Sequence, residues 1–218
     1  ERAGTWDACQ RTLRQALAVL RPEGHGVELE RVVLAVALAD PATPHFLDRN
    51  HGYTGWGGRP GHVVVLVWPI DFNVPRLPAV VAHEFHHNVR LSFEPWTPAV
   101  TVGQYVVLEG LAEAFAAELC GEDTVGPWAT ALAGAELERA RRRIGEALDV
   151  AGFDKIRGYI FGDWAAAAMG YEPRGLPDFA GYAVGYRLVQ AYLRRTGRTA
   201  AEATYVPWRE IVAESGYW

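Results

Sequence analysis

The chain has 218 residues, half of them hydrophobic and 22% charged, with a formal charge of −5. That length suits one domain, or two subdomains around a shared core, and the mild acidity gives no electrostatic reason to bind nucleic acid or an anionic membrane. Two cysteines far apart in sequence, Cys9 and Cys120, exclude a disulfide framework and read as free buried thiols of a reducing compartment.

Residues 5–20 read as an amphipathic helix, with Thr5 as N-cap and Trp6, Leu13, Leu17 and Leu20 on one face. Residues 31–38 (RVVLAVAL) are short, apolar and β-branched, and so predict a strand. The stretch 40–61 is rich in glycine and proline and shows no period, which predicts a long loop. Residues 62–68 (HVVVLVW) are the most strand-like of the chain, and Pro69 ends them. From residue 77 the period changes. The stretch 77–93 predicts a helix with Pro78 in its first turn, broken by the proline-rich 94–98. A second helix is expected over 103–119, stopped by Gly121. Further helices are expected within 130–150 as a charged, solvated face, over 181–195 before Gly197, and over 208–214. Strands early and helices late predict an α+β fold. No apolar run reaches 18 residues, and no signal-peptide pattern is visible, so the expected location is cytoplasmic, away from membranes.

His83-Glu84-Phe85-His86-His87 fits the H-E-x-x-H pattern. On a helix, His83 and His87 lie one turn apart on the same face and can bind one ion together. Glu84 is rotated by about 100° from His83. It stands beside such an ion rather than on it, where it can take a proton from a zinc-bound water. Neutral imidazole suits zinc, and zinc makes hydroxide available near neutral pH. His86 does not fit the ligand geometry and is expected to be solvated. The competing reading is a polar face of a surface helix.

A catalytic zinc needs a third protein ligand and an open position. Glu109 and Glu113, four residues apart, interrupt an otherwise apolar helix, and no basic residue occurs between Gly103 and Gly126. A helix this apolar is expected to be buried, and buried carboxylates need a metal or a donor. Glu109 therefore fits the ligand role. Glu113 fits an acceptor that steadies a ligating imidazole. The alternative is that both face water and pair with distant arginines.

AHEFHH, then LEGLAEAFA, then GYAVGYRLVQAYL resembles the gluzincin metallopeptidases and, more narrowly, the YjaZ-like family of predicted zinc-dependent proteases, over about residues 55–218. The resemblance implies His83, His87 and Glu109 as ligands of one zinc per chain, Glu84 as general base and Glu113 as the supporting carboxylate. It also implies a zincin (thermolysin-like) architecture in a single domain, 1–218. A small sheet and the H-E-x-x-H helix would occupy 1–95, and a mainly helical part with the third ligand 96–218. The strand bordering the cleft would be 62–68 or its neighbour.

Gluzincins generally supply a donor to the oxyanion from their helical half, which points to Tyr186 and, behind it, Tyr182, with Arg187 adjacent. Both tyrosines also read as half-buried core residues. His45, His51 and His62 flank the glycine-rich segment 52–58, which reads either as a flap over the cleft or as a plain surface loop. The expected function is zinc-dependent hydrolysis of a peptide or small amide. A zinc enzyme acting on a non-peptide small molecule and a zinc-stabilised binding module are the alternatives. The second fits less well, because a structural zinc needs no base.

Overall fold

The apolar run beginning at His62 becomes the middle strand of a three-stranded sheet. The structure is a computed structural model and describes residues 4–29 and 31–218. It is α+β and falls into two units: Glu1–Glu94 with Phe115–Thr124, and Pro95–Ala114 with Val125–Trp218.

The first unit opens with helix α1 (Thr5–Leu20), followed by strands β1 (Val33–Leu38), β2 (Tyr53–Arg59) and β3 (His62–Val67) and helix α2 (Leu77–Phe93). The strand order is β1-β3-β2, with β1 parallel and β2 antiparallel to β3. Val63, Val65 and Val67 are buried, the period-2 pattern of a strand with one face on a core. α2 packs on β2 and β3, and α1 packs on α2.

Two expectations are corrected here. The cap of α1 is Gly4, not Thr5, and its buried face is Cys9, Thr12, Ala16 and Leu20. Trp6 and Leu17 are each 41% exposed. The second correction concerns 40–61, which is not one long loop, because its glycine-rich part is the edge strand β2. The turn before it is tied by Asn73, fully buried, whose amide donates to the carbonyls of His51 and Trp68.

In the second unit, helix α3 (Val102–Cys120) begins, and its last residues, from Phe115 on, belong to the first unit. Helices α4 (Pro127–Thr130), α5 (Gly134–Gly145), α6 (Phe153–Phe161), α7 (Asp163–Ala168), α8 (Ala180–Thr196), α9 (Ala200–Ala203) and α10 (Trp208–Ser215) follow. α8 is the hub and packs against α4, α5, α6 and α10. It also crosses α3 at a glycine pair. A side chain on Gly110 would strike the Gly185 backbone, and one on Gly185 would strike the Val106 carbonyl. The glycines of the EGLAE and GYAVGY motifs thus meet each other, and the absent side chains let two backbones touch. Among the described residues, no helix is long and apolar enough to cross a membrane.

Candidate metal centre

α2 is buried along most of its length. His83, Glu84, Phe85, His86, His87, Asn88, Val89 and Arg90 are all buried. The His83 and His87 rings stand edge to face, with centroids 4.7 Å apart and planes at 88°. This is the i,i+4 juxtaposition that the motif requires. His86 is not solvated, as the sequence reading had it. It is fully buried, its ring centroid lies 5.6 Å from that of Phe115, and burial holds its pKa well below the ordinary histidine value, with His87, Arg90 and His83 adding to the effect. A neutral imidazole suits that apolar setting. Arg90 lies one turn beyond His86 and is buried in an ion pair with Glu94.

The sheet meets α2 at Glu84. A methyl group added to Gly55 would stand 2.5 Å from Glu84 Cγ and 2.6 Å from Cδ, and one added to Gly57 would lie 2.7 Å from the Glu84 backbone carbon. Glycine at these two positions lets an edge strand lie directly on the helix that carries the carboxylate. Asn88 fastens the same contact. Its Nδ2 donates to the carbonyls of Gly57, at 2.6 Å, and His62, at 3.0 Å, beside the point where the β2–β3 register shifts. Asn88 does not stand out in the sequence, and Gly55 and Gly57 do so only within the glycine-rich segment 52–58, read as a flap or a surface loop; their spacing of two is that of residues on one strand face.

α3 is apolar on all sides and buried, with Glu109 4% and Glu113 2% exposed. Within it, the Glu113 carboxylate accepts from the Gly126 backbone N–H at 3.1 Å and from Trp128 Nε1. Among the described residues, His83, His87 and Glu109 form a group whose ligand atoms lie within 4.8 Å of one another. Two imidazoles and one carboxylate, all buried, are a donor set that fits zinc. A set of three also leaves a fourth position for water or substrate.

Over residues 5–213 the chain matches the family described as Predicted Zn-dependent protease (DUF2268). The chain belongs to this family. It is 40% identical over 211 residues to Uncharacterized protein YjfC of Bacillus subtilis (strain 168), an alignment spanning 96% of this chain and 70% of that protein. Uncharacterized protein YjaZ of the same organism is 27% identical over 140 residues, 63% of this chain and 50% of that one. No solved structure matches.

The remaining candidates in this DUF2268 protein occupy different settings. Tyr186 is buried at 4% exposure on α8. Tyr182, one turn earlier, is half-buried among Trp128, Phe161 and Phe179. His45 pairs with Asp48 at 3.2 Å, and His51 lies against Phe72. His62 Nδ1 is 3.2 Å from the Pro60 carbonyl. Both cysteines are free thiols. Cys9 is buried, and burial, with Cys120 adding, pushes its pKa up to about 11.

Proposed function

We propose that this DUF2268 protein is a zinc-dependent hydrolase of peptide bonds with a gluzincin-type centre. The observation that carries the reading is the convergence of the His83, His87 and Glu109 ligand atoms within 4.8 Å, all three buried, with Glu84 on the helix of the two histidines.

His83, His87 and Glu109 would hold the ion. When bound, zinc supplies Lewis acidity and makes hydroxide available near neutral pH. Glu84 lies off the His83–His87 stripe and takes a proton from the attacking water on its carboxylate. Water adds to the carbonyl carbon, the C–N bond breaks, and Glu84 delivers the proton to the departing amine nitrogen. Tyr186, with Tyr182 as the second choice, is assigned the donor to the oxygen that becomes negative. Glu113, held by Trp128 and Gly126, is assigned a supporting role beside Glu109 on α3. The zincin architecture is part of the same proposal.

The place of β2 at the edge of the sheet favours a peptide over a small molecule. β2 pairs only with β3 among the described strands, and Gly55 and Gly57 place it on Glu84. An extended peptide can add to such an edge through its main chain. The test is a diverse peptide pool incubated with and without chelator, read by mass spectrometry, with Glu84→Gln as control. Chelator-sensitive cleavage that falls at least about 100-fold in E84Q, with zinc content retained, is expected. Cleavage that survives either treatment would overturn the reading.

A further inference from the structure

Five aromatic rings of the second unit form an unbroken line. Centroids are 4.8 Å apart from Trp96 to Tyr105, 6.0 Å from Tyr105 to Phe161, 6.0 Å from Phe161 to Tyr182, and 6.3 Å from Tyr182 to Trp128. Each of the five is half-buried, so none is fully enclosed by the core. Rings that serve only a core are covered by it. Rings that stay partly accessible, with an apolar body and a polar tip, are suited to seat a ligand's ring.

The line is tied to the helix of the third candidate ligand. Tyr105, Glu109 and Glu113 are spaced by four and lie along one face of α3. Tyr105 is itself in the line, and Trp128, at its far end, donates its indole N–H to Glu113. The rings therefore bracket Glu109, one helical turn before it and one after.

Arg157 adds a charge. Phe153, Arg157 and Phe161 are also spaced by four, on α6, and the guanidinium carbon lies 3.9 Å from the Phe153 centroid and 5.3 Å from that of Phe161. Its Nη1 reaches the Met169 sulfur at 4.0 Å, and its Nε is buried without a hydrogen-bond partner. No carboxylate of the described residues pairs with it. The nearby Glu172 is taken by Arg174, and Asp154 is exposed. A guanidinium held over rings, with no carboxylate beside it, is suited to a carboxylate brought by a ligand.

We propose that this line is the surface that selects the substrate, taking a peptide with an aromatic side chain on the Tyr105, Phe161 and Tyr182 rings and a carboxylate on Arg157. The proposal rests on the hydrolase reading above and narrows its substrates to aromatic, acidic peptides. The spacing follows from the geometry. The Tyr105–Phe161 and Phe161–Arg157 steps are 6.0 and 5.3 Å, and an extended chain advances about 3.3 Å per residue, so the two groups should be two or three residues apart. The carboxylate can be an acidic side chain or the C-terminus of the peptide.

The test is calorimetric titration of the Glu84→Gln protein, which binds without turning over. The probe is the N-acetylated, C-amidated peptide Ala-Gly-Phe-Ala-Gly-Glu. Its analogues replace Phe with Ser or Glu with Gln, and the Gln analogue is also made with a free C-terminal carboxylate. Loss of the ring should weaken binding about tenfold, and loss of the acid about fivefold, the upper range for a solvent-accessible charge pair. The free carboxylate restores affinity if the C-terminus is the source, and fails to restore it if the acidic side chain is. Adding Arg157→Gln should abolish the Glu/Gln preference and leave the Phe/Ser preference intact. An unchanged Glu/Gln ratio in that variant, no ring preference, or no binding at all overturns the proposal. The peptide comparisons at unaltered Arg157 stand even if the variant fails to fold, and absence of either preference there is also refuting. Cleavage of the pool without aromatic or acidic bias would sink this inference alone. Selective binding without any cleavage would sink the hydrolase reading and leave the surface standing.

Discussion

Gly55→Ala is the sharpest perturbation that the packing of β2 on α2 allows. The added methyl would stand 2.5 Å from Glu84 Cγ and 2.6 Å from Cδ, where ordinary contact begins at 3.4 Å. Oε1 is closer still, so Glu84 must retreat by about 1 Å, and it can, because the obstructed atoms belong to a flexible side chain. Displacing a catalytic group by about 1 Å costs on the order of 100-fold in rate. Turnover of any peptide found to be cleaved should fall by about that factor, while zinc by elemental analysis and the thermal midpoint remain those of the wild type. Gly57→Ala is the contrasting control. Its methyl meets the Glu84 main chain, which cannot swing aside, so the strand must lift and the thermal midpoint should drop. Wild-type turnover in G55A would refute the idea that this strand positions Glu84. Joint loss of zinc, stability and activity would refute it too, by making Gly55 a folding residue.

Three further outcomes follow from other parts of the structure. The wild type is expected to purify with close to one zinc per chain and a His83→Ala, His87→Ala double variant with almost none; full occupancy in the variant would end the ligand assignment. Asn88→Ala removes a buried donor to two carbonyls at the β2–β3 irregularity and should cost about 2–3 kcal/mol in urea unfolding; a change within error would mean those carbonyls find other donors. The folded Cys9 thiol ionises near 11 against an ordinary value of 9.0, so between those pH values the folded protein keeps a proton that the unfolded chain releases. Stability should therefore fall as pH rises from about 9 to about 11. Cys9→Ala should flatten that fall, and identical pH profiles for the two proteins would show that Cys9 has no part in it.

The elements that carry the site were legible because each is long and locally consistent. α2 and α3 are long and rich in apolar residues, with a proline at the start of one and a glycine after the other, and their histidine and glutamate spacings hold on any α-helix. β2 was hidden for a physical reason. Its glycines look like a loop in a one-dimensional reading, whereas they are the small face of a strand that a helix must approach, and only the partner reveals that. The same logic hid the buried side of α1, which is Cys9, Thr12, Ala16 and Leu20 rather than the tryptophan. His86 shows the limit of polarity as a guide, since a neutral imidazole can be fully buried when a ring such as Phe115 packs against it. The glycines of GYAVGY drew notice only as part of a motif, and their contact with the EGLAE helix requires two segments 75 positions apart, Gly110 and Gly185, to be seen together.

That α3 gives its first residues to one unit and its last to the other has a consequence for how the polypeptide is made and dissected. No single cut separates the two parts: a chain ended at Glu94 has all three strands and α2 yet lacks Phe115–Thr124, which the first unit counts among its own residues. On the ribosome the first unit stays incomplete until Thr124 has emerged, by which point Pro95–Ala114 of the second has already been synthesised. Vectorial synthesis therefore cannot finish one half before starting the other, as it does in proteins whose domains follow one another along the chain. A protease nick in the exposed stretch around Thr97–Ala99 should yield two fragments that co-purify, and neither fragment expressed alone should reproduce a native unit.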